Sequence, residues 1–196
     1  MSQVAANVRR VHLYLEANPN PNSLKFVANL MLTPEGESHD FPDAASAQHA
    51  PLAQELFAFP HVERVFYMNN FITVTKNESV EWLEIQDELK QHIQAYLEAE
   101  KPLIVNEYWE QGTTTDENDS ETVKKIKGIL DEYIRPAVEQ DGGAISFHSF
   151  KDGVVKVLLQ GACSGCPSST ITLKSGIENL LKTMLPEVKE VEAEGV

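Results

Sequence analysis

Apolar residues along this chain recur at two spacings, every second residue or every third and fourth, and the changes between them predict its elements. VHLYLEA and SLKFVANLML read as strands, separated by the turn-rich NPNPNS. APLAQELFAF, residues 50–59, carries Leu52, Leu56 and Phe57 at helical spacing. RVFYMNNFITVTK predicts a hairpin bending at Asn69 and Asn70, because asparagine tolerates the left-handed backbone of such turns. Over residues 79–100, Trp82, Ile85, Leu89, Ile93, Tyr96 and Leu97 fall on one helical face.

A second set of elements follows. From about Ser120, the residues Val123, Ile126, Leu130, Ile134 and Val138 line one face of a helix, which Pro136 kinks or ends. The DGG at 141–143 closes it with a turn. AISFHSF and VVKVLLQG are strands joined by KDG, whose Asp152–Gly153 pair suits a tight hairpin. Ile171, Ile177, Leu180, Leu181 and Met184 mark a last helix that stops near Pro186, and VKEVEAE is a short final strand. The order is α-β-β-loop-α-β.

Between the two sets the composition shifts. NEYWEQGTTTDENDS carries Glu107, Glu110, Asp116, Glu117 and Asp119 with no basic residue, too polar to bury itself, and reads as an acidic flexible linker. The predicted organisation is therefore α+β, two small mixed domains over residues 1–105 and 120–196, joined by a linker over 106–119. With such a linker, each domain is expected to fold by itself.

The 196 residues are 42% hydrophobic and 23% charged, ordinary for a globular chain, but their net charge is −14. That excess repels a phosphate backbone, which argues against nucleic acid as a partner and disfavours anionic lipid. No apolar run approaches the roughly 18–20 residues of a membrane span. The first residues, MSQVAANVRRVHLYLEANPNPNS, lack the long apolar stretch and cleavage site of a secretory leader, and they are not a Ser-rich transit peptide. The expected compartment is cytoplasmic, where thiols stay reduced.

Two cysteines, Cys163 and Cys166, are the only ones in the chain, and GACSGCPSST places both where a strand hands over to a helix. Pro167 fits the first helical position, with Ser168, Ser169 and Thr170 in the first turn. The positive end of a helix favours thiolate over thiol. Gly161 and Gly165 let the backbone fold tightly enough for both sulfurs to face one side. The glycines and hydroxyls predict an exposed loop, with neither thiol needed for the core. A buried inert pair would not sit among Gly, Ser and Pro. A thioredoxin-like dithiol needs more chain after its motif than the 30 residues that follow Cys166.

Metal binding remains, and ligand arithmetic sets its form. A structural zinc takes four protein ligands and an iron–sulfur cluster about four cysteines. The second domain offers Cys163, Cys166 and one histidine, His148, which reads as an ordinary strand residue. Asp141 and Lys174 read as turn and helix-surface residues. Two chains related by a two-fold axis, each contributing the same pair, complete such a site. Spacing does not separate zinc from iron–sulfur.

The stretch DGGAISFHSFKDGVVKVLLQGACSGCPSSTITLKSGIENLLKTMLPEVKEV resembles the C-terminal domain of NifU and Nfu proteins, and the likeness covers essentially all of residues 120–193. NPNPNSLKF, PLAQELFAFPHVERVF and NFITVTK are similar to the N-terminal domain of Nfu proteins. The resemblance implies a [4Fe-4S] cluster, one per dimer, held by Cys163 and Cys166 of two subunits. It implies transfer from an upstream cluster donor to apo iron–sulfur proteins, by a homodimer that is a carrier and not an enzyme. The first domain here has no cysteine, unlike the N-terminal scaffold module of full NifU, which favours carriage over assembly. A dithiol–disulfide reductase and a zinc-linked dimeric interaction module are the competing readings.

Overall fold

The computed structural model describes residues 10–105, 120–164 and 167–195, with the backbone alone for residues 167–170. The expected linker lies outside the described residues. The fold is α+β, as the periodicity predicts.

The first domain builds a five-stranded sheet from β1 (Leu13–Ala17), β2 (Ser23–Ala28), β3 (Ser38–Phe41), β4 (Val62–Met68) and β5 (Phe71–Lys76), in the order β1-β2-β5-β4-β3. All neighbours are antiparallel. The predicted hairpin is β4–β5, and Asn69 takes the left-handed conformation at φ 49°. Two helices cover one face. The first, α1 (Pro51–Phe57), opens on its proline, whose missing N–H costs nothing there. The second, α2 (Trp82–Glu98), buries Leu89, Ile93, Tyr96 and Leu97 from the predicted stripe. Between helices and sheet lie Phe26, Leu52, Leu56, Val65, Tyr67, Ile72 and Val74.

Two differences from the sequence reading stand out. The second predicted strand ends at Ala28, and Leu30 and Leu32 pack on the core as irregular chain. The β3 strand falls inside a stretch read as polar loop. Only Phe41 of its four residues is buried, so no alternation marks it.

In the second domain, α3 (Glu121–Ile129) is capped by the Ser120 hydroxyl, which accepts from Val123 N at 3.3 Å. One π-helical turn, Leu130–Ile134, then leads into α4 (Arg135–Gln140). Pro136 therefore neither ends the helix nor sharply breaks it. Its ring would strike the carbonyl four residues back, and the wider turn accommodates it. A three-stranded sheet follows, with β6 (Gly143–Lys151) antiparallel to β7 (Val154–Gly161) and β7 parallel to β8 (Glu190–Gly195). The crossover between the parallel strands is α5 (Pro167–Met184), which starts at the predicted proline. Asp152 and Gly153, at φ 56° and 90°, form the predicted tight hairpin.

The two domains are not independent bodies. Residues that alternate with the first core, Val27, Phe66, Met68 and Phe71, form the opposite face of the first sheet and pack with Ala144 of β6. Around this apolar patch, Thr73 Oγ1 donates to Gly142 O at 2.7 Å and Asn69 Nδ2 to Glu139 Oε2 at 3.1 Å. Lys25 stacks on the Phe71 ring, pairs with Glu16, and donates to Gln140 O at the C-terminal end of α4. The expectation of separately folding halves overlooked this seam, which parting the domains would expose.

Phe66 is the centre of that seam and fully buried. Truncating it, Phe66→Ala, should cost about 3–5 kcal/mol of stability in the full chain, as for other buried phenylalanines. Urea denaturation measures this. A variant as stable as the parent would show that the seam does not form in solution.

Candidate functional site

The cysteine loop begins where β7 ends. Gly161 sits at φ +64°, and a Cβ there would lie 2.9 Å from the Phe66 ring and 2.8 Å from Gly142 O, so only glycine fits. The chain then curls on itself. Ala162 N donates to Gly142 O at 3.2 Å, and Ser164 N donates to Gly161 O at 3.1 Å. This curl turns Cys163 inward. It is 5% exposed and belongs to the second hydrophobic core with Leu159, Ile177 and Leu181. Gly143 leaves the space the thiol needs, for a Cβ there would stand 2.9 Å from Cys163 Sγ.

This corrects two expectations. The loop is covered, not open, at Cys163 and Ser164, and the Cys163 side chain does help fill the core. Cys166 lies outside the described residues. Among the described residues, no group of three or more His, Cys, Asp or Glu is placed to hold a metal ion.

Much of the cover comes from the first domain. Asn20, 6% exposed, donates through Nδ2 to Ala162 O at 3.0 Å. Its own conformation is pinned within the NPNPNS turn: its N–H donates to Asn18 Oδ1, and its Oδ1 accepts from Asn22 N. On the other side of Cys163, Arg64 Nη1 donates to Ser164 Oγ at 2.8 Å. Arg64 is held in turn by a two-pronged pair with Asp40, both bonds at 2.9 Å. Burial raises the Asp40 carboxyl above the ordinary carboxylate range. Arg64 and backbone hydrogen bonds from Gly161 and Phe41 pull it back down. Both residues that flank Cys163 in the chain are therefore gripped by side chains of the other domain.

A cavity of about 310 Å³ opens at this seam, walled by Pro19, Asn20, Asp141, Cys163 and Leu173 among others. Burial raises the Asp141 carboxyl, with Lys25 opposing. Asp141 also ends α4, the turn role read for it. Lys174 lies on the outer side of α5, 4.0 Å from Glu190. His148 is exposed at a bulge in β6, an ordinary strand position. Sequence reasoning missed Asn20, Asp40, Arg64 and Thr73. The available signal was the unbroken apolar run VFYM directly after Arg64, since a strand apolar on both faces needs cover on both.

Comparison with known proteins places these observations. Residues 126–192 match the NifU-like domain, and residues 13–100 match the domain described as scaffold protein Nfu/NifU N terminal. A protein of Drosophila ananassae named "NFU1 iron-sulfur cluster scaffold homolog, mitochondrial" is 40% identical over 187 residues, covering 95% of this chain and 65% of its own length. The Drosophila yakuba protein of the same name is 39% identical over 192 residues, covering 98% of this chain and 68% of its own length. The chain thus spans about two thirds of these relatives. The solution NMR structure of a NifU-like protein from Saccharomyces cerevisiae, 26% identical, covers 55% of this chain and 96% of that one at a TM-score of 0.46.

The cytoplasmic expectation is overturned here. It rested on the first residues lacking a leader, whereas the relatives that align along nearly the whole chain are named mitochondrial. Both halves match in order, and the likeness runs almost end to end: the chain belongs to the NifU/Nfu family.

Proposed function

We propose that this chain is an iron–sulfur cluster carrier. Two copies hold one [4Fe-4S] cluster on Cys163 and Cys166 of each, take it from an upstream donor and pass it to apo iron–sulfur proteins. The observation that carries this reading is that the chain's only two cysteines flank one loop between β7 and α5, in a chain whose relatives bear the name iron–sulfur cluster scaffold.

The donor chemistry fits the cargo. Thiolates are the soft ligands that iron–sulfur clusters take, and four are needed. One chain supplies two, so a second chain completes the set. Delivery is then ligand exchange: each thiolate–iron bond given up is replaced by one to an acceptor thiolate, with no net redox change. No covalent bond of a substrate is made or broken, which is why the role is carriage and not catalysis. A zinc-linked dimer remains the second reading, favoured by the same half-set of thiols, and metal content separates it from the first.

Anaerobic reconstitution tests the proposal. The loaded protein should contain about four iron and four sulfide per two chains, the content of one [4Fe-4S] centre. Because loading needs two chains, it should shift the protein from monomer to dimer, and chelating the iron should reverse the shift. Size exclusion with light scattering reads this directly; a cluster held by one chain would overturn the two-chain site, and bound zinc without sulfide would favour the alternative.

Replacing either Cys163 or Cys166 by alanine should abolish cluster retention, not halve it, because every cluster loses two of its four thiolates. The Cys163→Ala protein should also lose about 1 kcal/mol of stability, the cost of a methyl-sized void in the core. Iron and sulfide analysis with a urea midpoint checks both. A Cys163→Ala protein with a full cluster would remove it from the ligand set.

A further inference from the structure

Resting on the carrier reading, the geometry at the seam carries a consequence for how the site is controlled. A sulfur that bonds an iron shared with a second chain must face that chain. In this structure the Cys163 side chain packs into its own core instead, 5% exposed, beside the cavity that Pro19 and Asn20 of the first domain also wall. The loop is kept there by Asn20 Nδ2 on Ala162 O and by Arg64 Nη1 on Ser164 Oγ.

The seam has two parts of different chemistry. Its apolar part, Val27, Phe66, Met68, Phe71 and Ala144, gains from staying out of water. Its loop part is polar, and its hydrogen bonds exchange with water at small net cost when they break. The loop can therefore let go while the apolar patch stays docked. Arg64 is suited to this task. The Asp40 carboxylate fixes its guanidinium from behind, while Nη1 donates across the seam to Ser164 Oγ.

We propose that Arg64, set by Asp40, is a positioning residue from the first domain that latches the cysteine loop with Cys163 turned inward, and that release of this latch is the step that admits the second chain. Asn20 is the second hold on the same loop. The first domain thereby gates loading and unloading, although it contributes no thiol.

The test uses the full apo-chain with Cys166→Ser, so that iodoacetamide alkylation reports Cys163 alone. Adding Arg64→Ala should speed alkylation about tenfold or more, the effect of losing a hydrogen bond from a charged donor. Ser164→Ala, which leaves the Arg64–Asp40 pair intact, should act in the same direction. Combining the two should give less than the sum of the single effects, because both remove the Arg64–Ser164 contact. Amide exchange in β7 should stay as slow as in the parent, which separates release of the latch from loss of the fold. With both cysteines present, the same variants should take up cluster faster.

Unchanged alkylation in folded variants would overturn the latch. If Arg64→Ala does not fold because it leaves Asp40 buried and unpaired, Ser164→Ala decides the matter alone. A chain that never accepts a cluster, yet shows faster alkylation, would defeat the carrier reading and leave the latch standing. Normal loading with unchanged alkylation would do the reverse.

Discussion

A β-sheet whose strands are apolar on both faces has to be covered twice, and the rest of this molecule follows from that constraint. In the first domain, α1 and α2 cover the face built by Phe26, Val65, Tyr67, Ile72 and Val74. The other face carries Val27, Phe66, Met68 and Phe71, and the second domain is its cover. Because Phe66 lies against Gly161, this second burial reaches the end of β7 and the start of the cysteine loop. Packing, not the linker, decides where the loop sits relative to the first domain.

That placement sets two requirements against each other. The core gains by enclosing Cys163, and the Gly143 position is kept small so that its sulfur fits. The proposed ligation to a shared cluster would ask the same sulfur to leave. Under the proposed carrier role both states would have to lie close in free energy, because a ligand shifts an equilibrium only by its differential affinity for the two states. Polar holds such as Arg64 on Ser164 and Asn20 on Ala162 suit this, since water replaces them when they open. A wholly apolar clasp would be harder to release.

The electrostatics are local despite the chain's net charge of −14. Two basic side chains hold the seam: Lys25 at the end of α4, and Arg64 beside the loop. Burial drives the Asp40 carboxyl toward its neutral form, while the guanidinium and two backbone hydrogen bonds favour its charge. A buried pair of this kind is weak evidence of added stability. Its better-attested use is fixing geometry, and here it fixes the direction of one N–H.

The sequence by itself determined the local elements and the chemistry. Periodicity located β4, β5, α2, α5 and the hairpin at Asp152–Gly153, because these depend on alternation, caps and turn residues a few positions apart. Two cysteines three positions apart named the loop, and their number is what led to the proposal of a second chain. Four residues with one buried side chain left β3 unmarked, and a proline that could equally stop a helix hid the π turn before α4. Only the tertiary structure decided that Cys163 is buried and that Asn20, Asp40 and Arg64 reach its loop. Asn20 lies 142 positions from Ala162, and Arg64 lies 100 from Ser164. No local pattern links residues that far apart. They meet because two separate sheets bury one shared apolar face, and side chains at its edge are carried along with it.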